Sequence, residues 1–122
     1  MIDARIDRSK KIIFANYSGS IRLNDISDFY SQLSAEFKNW EKLKLVQDER
    51  EAEFPETKQV LENAKSLVDI LNSSFNSIKI AIVQDRPMET AYSYLFLANS
   101  SAKNYTIKVF SVEENAVKWI SE

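Results

Sequence analysis

Short runs of β-branched and aromatic residues alternate along this chain with longer stretches of helical period, and that alternation limits the fold more than any other feature. Residues 78–83 (IKIAIV) have the continuous apolar character of a strand covered on both faces. Residues 43–47 (LKLVQ) and 105–110 (YTIKVF) are similar short runs, the first ending at the polar segment 48–51 (DERE). Between these runs lie helical patterns. Ile26, Phe29, Tyr30, Leu33, Phe37 and Trp40 hold one helix face for four turns, with Asn24 as N-cap and Asp25 and Asp28 near the positive end of the dipole. A second helix reads over 56–71, with Val60, Leu61, Ala64, Leu67, Val68 and Leu71 on one side. Pro87 opens a third helix through Ala91, Tyr92, Leu95 and Phe96 that frays over 98–101. Residues 111–114 (SVEE) form a capping-box pattern ahead of a last helix through Ala116, Val117 and Ile120.

The first residues alternate in period two. Ile2, Ala4 and Ile6 point one way, and Asp3, Arg5 and Asp7 the other, as in a half-solvated edge strand. Residues 8–10 are polar enough to turn, and 11–17 (KIIFANY) read as the returning strand of an antiparallel hairpin. Gly19 follows where a turn of positive φ costs glycine least. The order is β-β-α-β-α-β-α-β-α. Right-handed crossovers then give a single α/β domain over residues 1–122: a mostly parallel five-stranded sheet, an antiparallel N-terminal edge and four helices.

Composition removes whole chemistries. Among 122 residues there is no cysteine and no histidine, so disulfides, thiolate nucleophiles, imidazole acid–base catalysis and most zinc or copper sites are excluded. The single glycine excludes a Gly-rich phosphate loop or dinucleotide fingerprint. Net charge is −2, with both halves of the chain at −1 and no basic block, which argues against nucleic acid as a partner. No apolar run approaches the roughly 18–20 residues needed to span a bilayer, and residues 1–8 lack a signal-peptide core. The expectation is a soluble cytoplasmic protein without metal or cofactor.

Four stretches resemble the STAS and anti-sigma-factor-antagonist fold, and more closely the bacterial SpoIIAA-like proteins, which are related to CRAL-TRIO domains. Residues 14–19 resemble a second strand ending in glycine, and 45–50 (LVQDER) a third ending in Asp-x-Arg. Residues 80–87 (IAIVQDRP) with Thr90 and Ala91 resemble a fourth strand and its helix, and 109–120 the closing segment. The resemblance implies a SpoIIAA-like fold. It also implies a serine-phosphorylated Asp-Ser-Ser-Gly turn opening the second helix, but here residues 52–57 read AEFPET. Thr57 is the nearest hydroxyl, and a phosphate there would be repelled by Glu51, Glu53 and Glu56 unless a basic partner intervened.

In open α/β sheets ligands favour the crevice beyond the carboxyl ends of the strands. Asp48, Arg50, Asp85, Arg86 and Ser111 are expected there, with Thr90 in the adjacent helical turn. Together they can hold an anionic group or polar peptide; the same residues also read as ion pairs and helix caps. Without His or Cys a general base must be a carboxylate, Lys or Tyr. Asp48, Glu49, Glu51 and Glu53 supply acids for a carboxylate pair or a magnesium site, or simply a solvated loop. Phe29, Tyr30, Phe37 and Trp40 read as core, and Trp119 as a lid on it. Tyr94 leaves the apolar face of its helix and is a candidate exposed anchor. Two functions follow as expectations. The first is a non-catalytic interaction module binding another protein or itself through an edge strand or exposed helix. The second is a carrier of a small apolar or anionic ligand between the helices and the strand carboxyl ends.

Overall fold

Strand β1 (Ile2–Asp7) pairs antiparallel with β2 (Ile12–Ser20), and β3 (Lys42–Glu53), β4 (Ser77–Val83) and β5 (Tyr105–Phe110) follow in parallel, each beside its predecessor. A computed structural model describes residues 1–99 and 104–122. The helices are α1 (Leu23–Glu36), α2 (Thr57–Glu62), α3 (Ala64–Asn72), α4 (Pro87–Asn99) and α5 (Glu113–Ile120). The α/β class, the strand order and the antiparallel edge are as the sequence implied.

Because the strand order never reverses, right-handed crossovers carry every connecting helix to the same face of the sheet. The two apolar clusters reflect this. Ile26, Phe29 and Leu33 of α1, Val60 of α2 and Leu67, Val68 and Leu71 of α3 pack with Ile13, Leu45, Ile80 and Ile107 of the sheet. On the opposite face Ala116 and Ile120 of α5 cover Ile12, Val46, Ala81 and Val83. Trp119 does lie over that smaller core, its ring 5.8 Å from Phe110 and capped by the Lys79 ammonium at 4.5 Å.

Several boundaries differ from those expected. The N-cap of α1 is Arg22 rather than Asn24, because two carboxylates cap the helix there. Asp25 accepts the Arg22 N–H at 2.8 Å and Glu56 accepts the Leu23 N–H at 3.0 Å. It ends at Glu36. Phe37 leaves the helix at φ −114° yet stays buried, with Trp40 folded back on it at 4.6 Å. The expected helix over 56–71 is two helices. Asn63 between them donates its side-chain amide to the Gln59 carbonyl at 2.8 Å, an alternative to the helical ladder. The last helix is capped by Val112 rather than Ser111, with no side-chain cap bond. Helix α4 is apolar all round, so periodicity does not fix its inward side. Ser93 is the buried residue, Phe96 and Leu97 are half-buried, and the expected core residues Tyr92 and Leu95 face out. Of the expected fray over 98–101, positions 100 and 101 lie outside the described residues.

The largest difference concerns β3, which does not stop at Gln47 but runs through the acidic segment to Glu53. Asn16 pairs with Asp48 and Ser18 with Glu51, so Glu49 and Arg50 together oppose Tyr17 in a β-bulge. The bulge shifts the strand's alternation by one. Leu45, Gln47 and Glu49 face the helix layer in period two, and the next inward residue is Ala52.

Gly19, beyond the bulge, has φ +69°, and a Cβ there would meet nothing within 4 Å. Strain alone therefore opposes a side chain. Left-handed backbone costs an L-residue about 1–2 kcal/mol, partly offset by the about 0.4–1 kcal/mol that losing glycine's unfolded-state freedom contributes. Gly19→Ala is expected to destabilise the protein by about 1 kcal/mol with the fold intact, measured as a lower urea midpoint at unchanged m-value.

Candidate ligand-binding site

The inward polar residues of β3 have no place in an apolar core unless they satisfy one another. They do so in part. The Tyr30 hydroxyl of α1 donates to Gln47 Oε1 at 2.6 Å, and Gln47 Nε2 donates to Glu49 Oε2 at 3.0 Å. Tyr30 is 1% exposed, Gln47 3% and Glu49 8%, so the three are buried. Tyr17 sits beside Tyr30, edge-on to Phe29 at 6.2 Å, and its buried hydroxyl interacts with that of Tyr30 without a hydrogen bond of full geometry. Burial pushes the Glu49 carboxyl up to about 7, with the Asp48 charge adding to the effect and the Gln47 amide opposing it. Burial likewise raises both tyrosine hydroxyls.

These groups border a cavity of about 60 Å³ beneath α2 and α4, at the carboxyl ends of β2, β3 and β4. Its other walls are apolar, chiefly Ile26, Phe54, Val60, Leu61, Ile82 and Phe96, and it reaches the surface beside Glu89 and the partly exposed Tyr92. A space of that size holds more than one water molecule.

Strand β4 ends opposite Asp48, so the far part of β3 has no strand on that side. Side chains replace it. Buried Gln84 donates to the Glu49 carbonyl at 3.1 Å, and the Arg86 guanidinium donates to the Ala52 carbonyl. Gln84 Oε1 in turn accepts from the N–H groups of Asp85 at 3.1 Å and Arg86 at 3.3 Å, and Thr90 donates to the Gln84 carbonyl at 3.3 Å. This lattice holds the bulge where it is.

The residues expected at the strand ends are therefore separated by the sheet. Arg86 and Thr90 belong to the lattice around Gln84. Asp48 and Arg50 lie on the α5 face, joined by bonds of 2.9 and 2.6 Å, with Glu113 at 3.8 Å. That contact holds the Asp48 carboxyl below its usual range and raises Arg50, with Asp85 contributing to the charge around the guanidinium. Asp85 and Ser111 are exposed, and Tyr94 is 55% exposed on α4. Thr57 lines the cavity and donates its hydroxyl to the Phe54 carbonyl at 2.7 Å. Among the described residues no three acidic side chains converge to hold a metal ion.

Sequence reasoning passed over Tyr17, Tyr30 and Gln47 as site residues and treated Glu49 as one acid in a loop. The available signal was Gln47 and Glu49 continuing the inward period of Leu43 and Leu45. Charge that is even along the chain also separates in space. Lys10, Lys11, Lys42 and Lys44 gather with Trp40 around a cleft of about 330 Å³ at the opposite end of the sheet.

This architecture is the SpoIIAA-like fold. An uncharacterised protein of the DUF3478 family with that fold, from Shewanella loihica PV-4, superposes with a TM-score of 0.58 at 12% identity, covering 98% of this chain and 92% of its own. No protein-family model and no curated protein matches the sequence. No helix among the described residues is long and apolar enough to cross a membrane.

The Glu49 carboxyl gives a pH dependence of known sign. Its value is about 7 folded against 4.5 for the ordinary group, so between these the folded state binds more protons than the unfolded and stability falls as pH rises. The full shift corresponds to about 3 kcal/mol. Relative to wild type, Glu49→Gln should gain urea midpoint steadily from about pH 5 to about pH 8; a constant difference would contradict the assignment.

Proposed function

We propose that this chain is a non-catalytic, cytoplasmic ligand-binding module of SpoIIAA-like fold, and that its site is the cavity beside the β3 bulge. The observation that carries the reading is a buried polar group left incomplete against an apolar void: the Glu49 carboxylate receives the Gln47 amide alone, and the Tyr17 hydroxyl makes no hydrogen bond of full geometry. Proteins seldom leave such groups unsatisfied without a role for them. A small, mostly apolar molecule with a hydrogen-bonding head fits this lining. An anionic head does not, since Glu49 and Glu89 are both acidic.

A carboxyl near neutrality also suits general acid–base catalysis, but the hydroxyls around it are committed elsewhere. Thr57 donates to the Phe54 carbonyl and Ser93 to the Glu89 carbonyl at 3.0 Å. With both of these hydroxyls bonded to backbone carbonyls, Glu49 is read as a binding group.

A second reading, interaction with another protein or a second copy, is favoured by the outer side of α4, where Met88, Tyr92, Tyr94 and Leu95 are exposed. Native mass spectrometry separates the two. The carrier reading expects a constant added mass on gently purified protein that Leu61→Trp removes by filling the void. A defined dimer without added mass, dispersed by Tyr94→Asp, contradicts it and supports the second.

A further inference from the structure

Acceptors without donors define the polar end of the cavity. Glu49 Oε2 receives Gln47 Nε2 at 3.0 Å, whereas Oε1 receives nothing among the described residues. Tyr17, 1% exposed, borders the same space, and its hydroxyl, beside that of Tyr30, makes no hydrogen bond of full geometry. A second carboxylate, Glu89, stands at the mouth, and among the described residues no Lys or Arg lines the cavity. The nearest guanidinium, that of Arg86, is held on the Ala52 carbonyl and beside Glu89 at 3.8 Å. Aromatic residues, among them Tyr30, Phe54 and Tyr92, make up much of the remaining wall. Carboxylates and aromatic rings around an enclosed space attract an organic cation, the first by charge and the second through the ring quadrupole. The aliphatic floor of Ile26, Val60 and Ile82 suits a hydrocarbon tail.

We propose that the cavity takes a protonated aliphatic amine, its ammonium on the unpaired oxygen of Glu49 and the Tyr17 hydroxyl, its alkyl chain among the apolar residues beneath α2 and α4. This inference rests on the small-ligand reading above and names the ligand class. An anion would face two carboxylates, and a neutral alcohol would leave the Glu49 charge unmatched.

Binding is coupled to a proton. The groups facing Glu49 are Gln47 and Asp48 on β3, Tyr17 on β2, Tyr30 on α1 and Glu89 with Tyr92 on α4; Thr57 of α2 is uncharged. The cation beside these groups, Arg86, is 3.8 Å from Glu89 and is bonded to the Ala52 carbonyl. The neutral carboxyl that prevails at acid pH must give its proton to solvent when the ammonium arrives: one proton is released, and one ion pair forms. With a carboxyl near 7, amine affinity is about tenfold higher at pH 8 than at pH 6.

The test is an NMR titration of the whole chain, read at the Gln47 side-chain amide, with n-butylammonium, 1-butanol and butyrate. The proposal expects n-butylammonium to bind with that pH ratio, butyrate not to bind, and Glu49→Gln to weaken the amine at least tenfold while 1-butanol is retained. Equal amine affinity in Glu49→Gln, or 1-butanol binding more tightly than the amine at pH 8, overturns the cation assignment and leaves the cavity reading standing. If neither probe binds wild type, both fall. Should Glu49→Gln fail to fold, the wild-type pH ratio decides alone, and pH-independent amine binding overturns the proposal.

Discussion

One extra residue in β3 sets the character of this molecule. Without the bulge, the strand would continue its alternation past Asp48 with every residue paired to β2. With it, Glu49 and Arg50 share a single partner, Tyr17: Glu49 is the last inward residue of the period that Leu45 and Gln47 begin, and the next inward position falls on Ala52 instead of on the acid Glu51. A bulge leaves backbone groups without their ladder partners. On its other edge β3 outruns β4 past Asp48, and there Gln84 and Arg86 take the Glu49 and Ala52 carbonyls, so the bulged segment is supported by side chains. Glu49, at the bulge and on the inward face of β3, is held in part by Gln47, itself bonded by Tyr30, and otherwise borders a cavity.

The sheet topology decides on which side that cavity forms. Doubly wound sheets reverse strand order and place their ligands at the reversal. Here the strands run in sequence, so one face carries four helices and the other only α5. The space beyond the strand ends is divided accordingly. On the α5 side Arg50 is enclosed by Asp48, Glu113 and Asp85 and has little charge left to offer a ligand. Under the helix layer, α2 and α4 splay over the bulge, and the lining is apolar except at its β3 end.

Much of this was legible from residues alone, for physical reasons that differ by element. The parallel strands were readable because β4 is a continuous apolar run, and α1 because its buried stripe is long. The break at Asn63 was not, since the apolar period runs unbroken across it and only a side-chain hydrogen bond interrupts the ladder. Helix α4 is apolar on every side, so period could not tell Ser93 from Tyr92. The far half of β3 hid behind its charge: DERE reads as a loop until the bulge shows how one acid is buried while its neighbours are solvated. The candidate site was hidden for the same reason. Asp85 and Arg86 do follow the end of β4, but Asp48 and Arg50 lie inside β3, and sequence order could not tell which side of the sheet each would occupy.

The account depends on a carboxylic acid that is kept close to neutral by burial at the bulge. Its most direct measurement is the 13C chemical shift of the Glu49 carboxyl carbon followed through a pH titration. A midpoint near 7 is predicted, two to three units above an exposed glutamate. A midpoint near the ordinary 4.5 would mean that this side chain meets water freely, and the buried site would not exist.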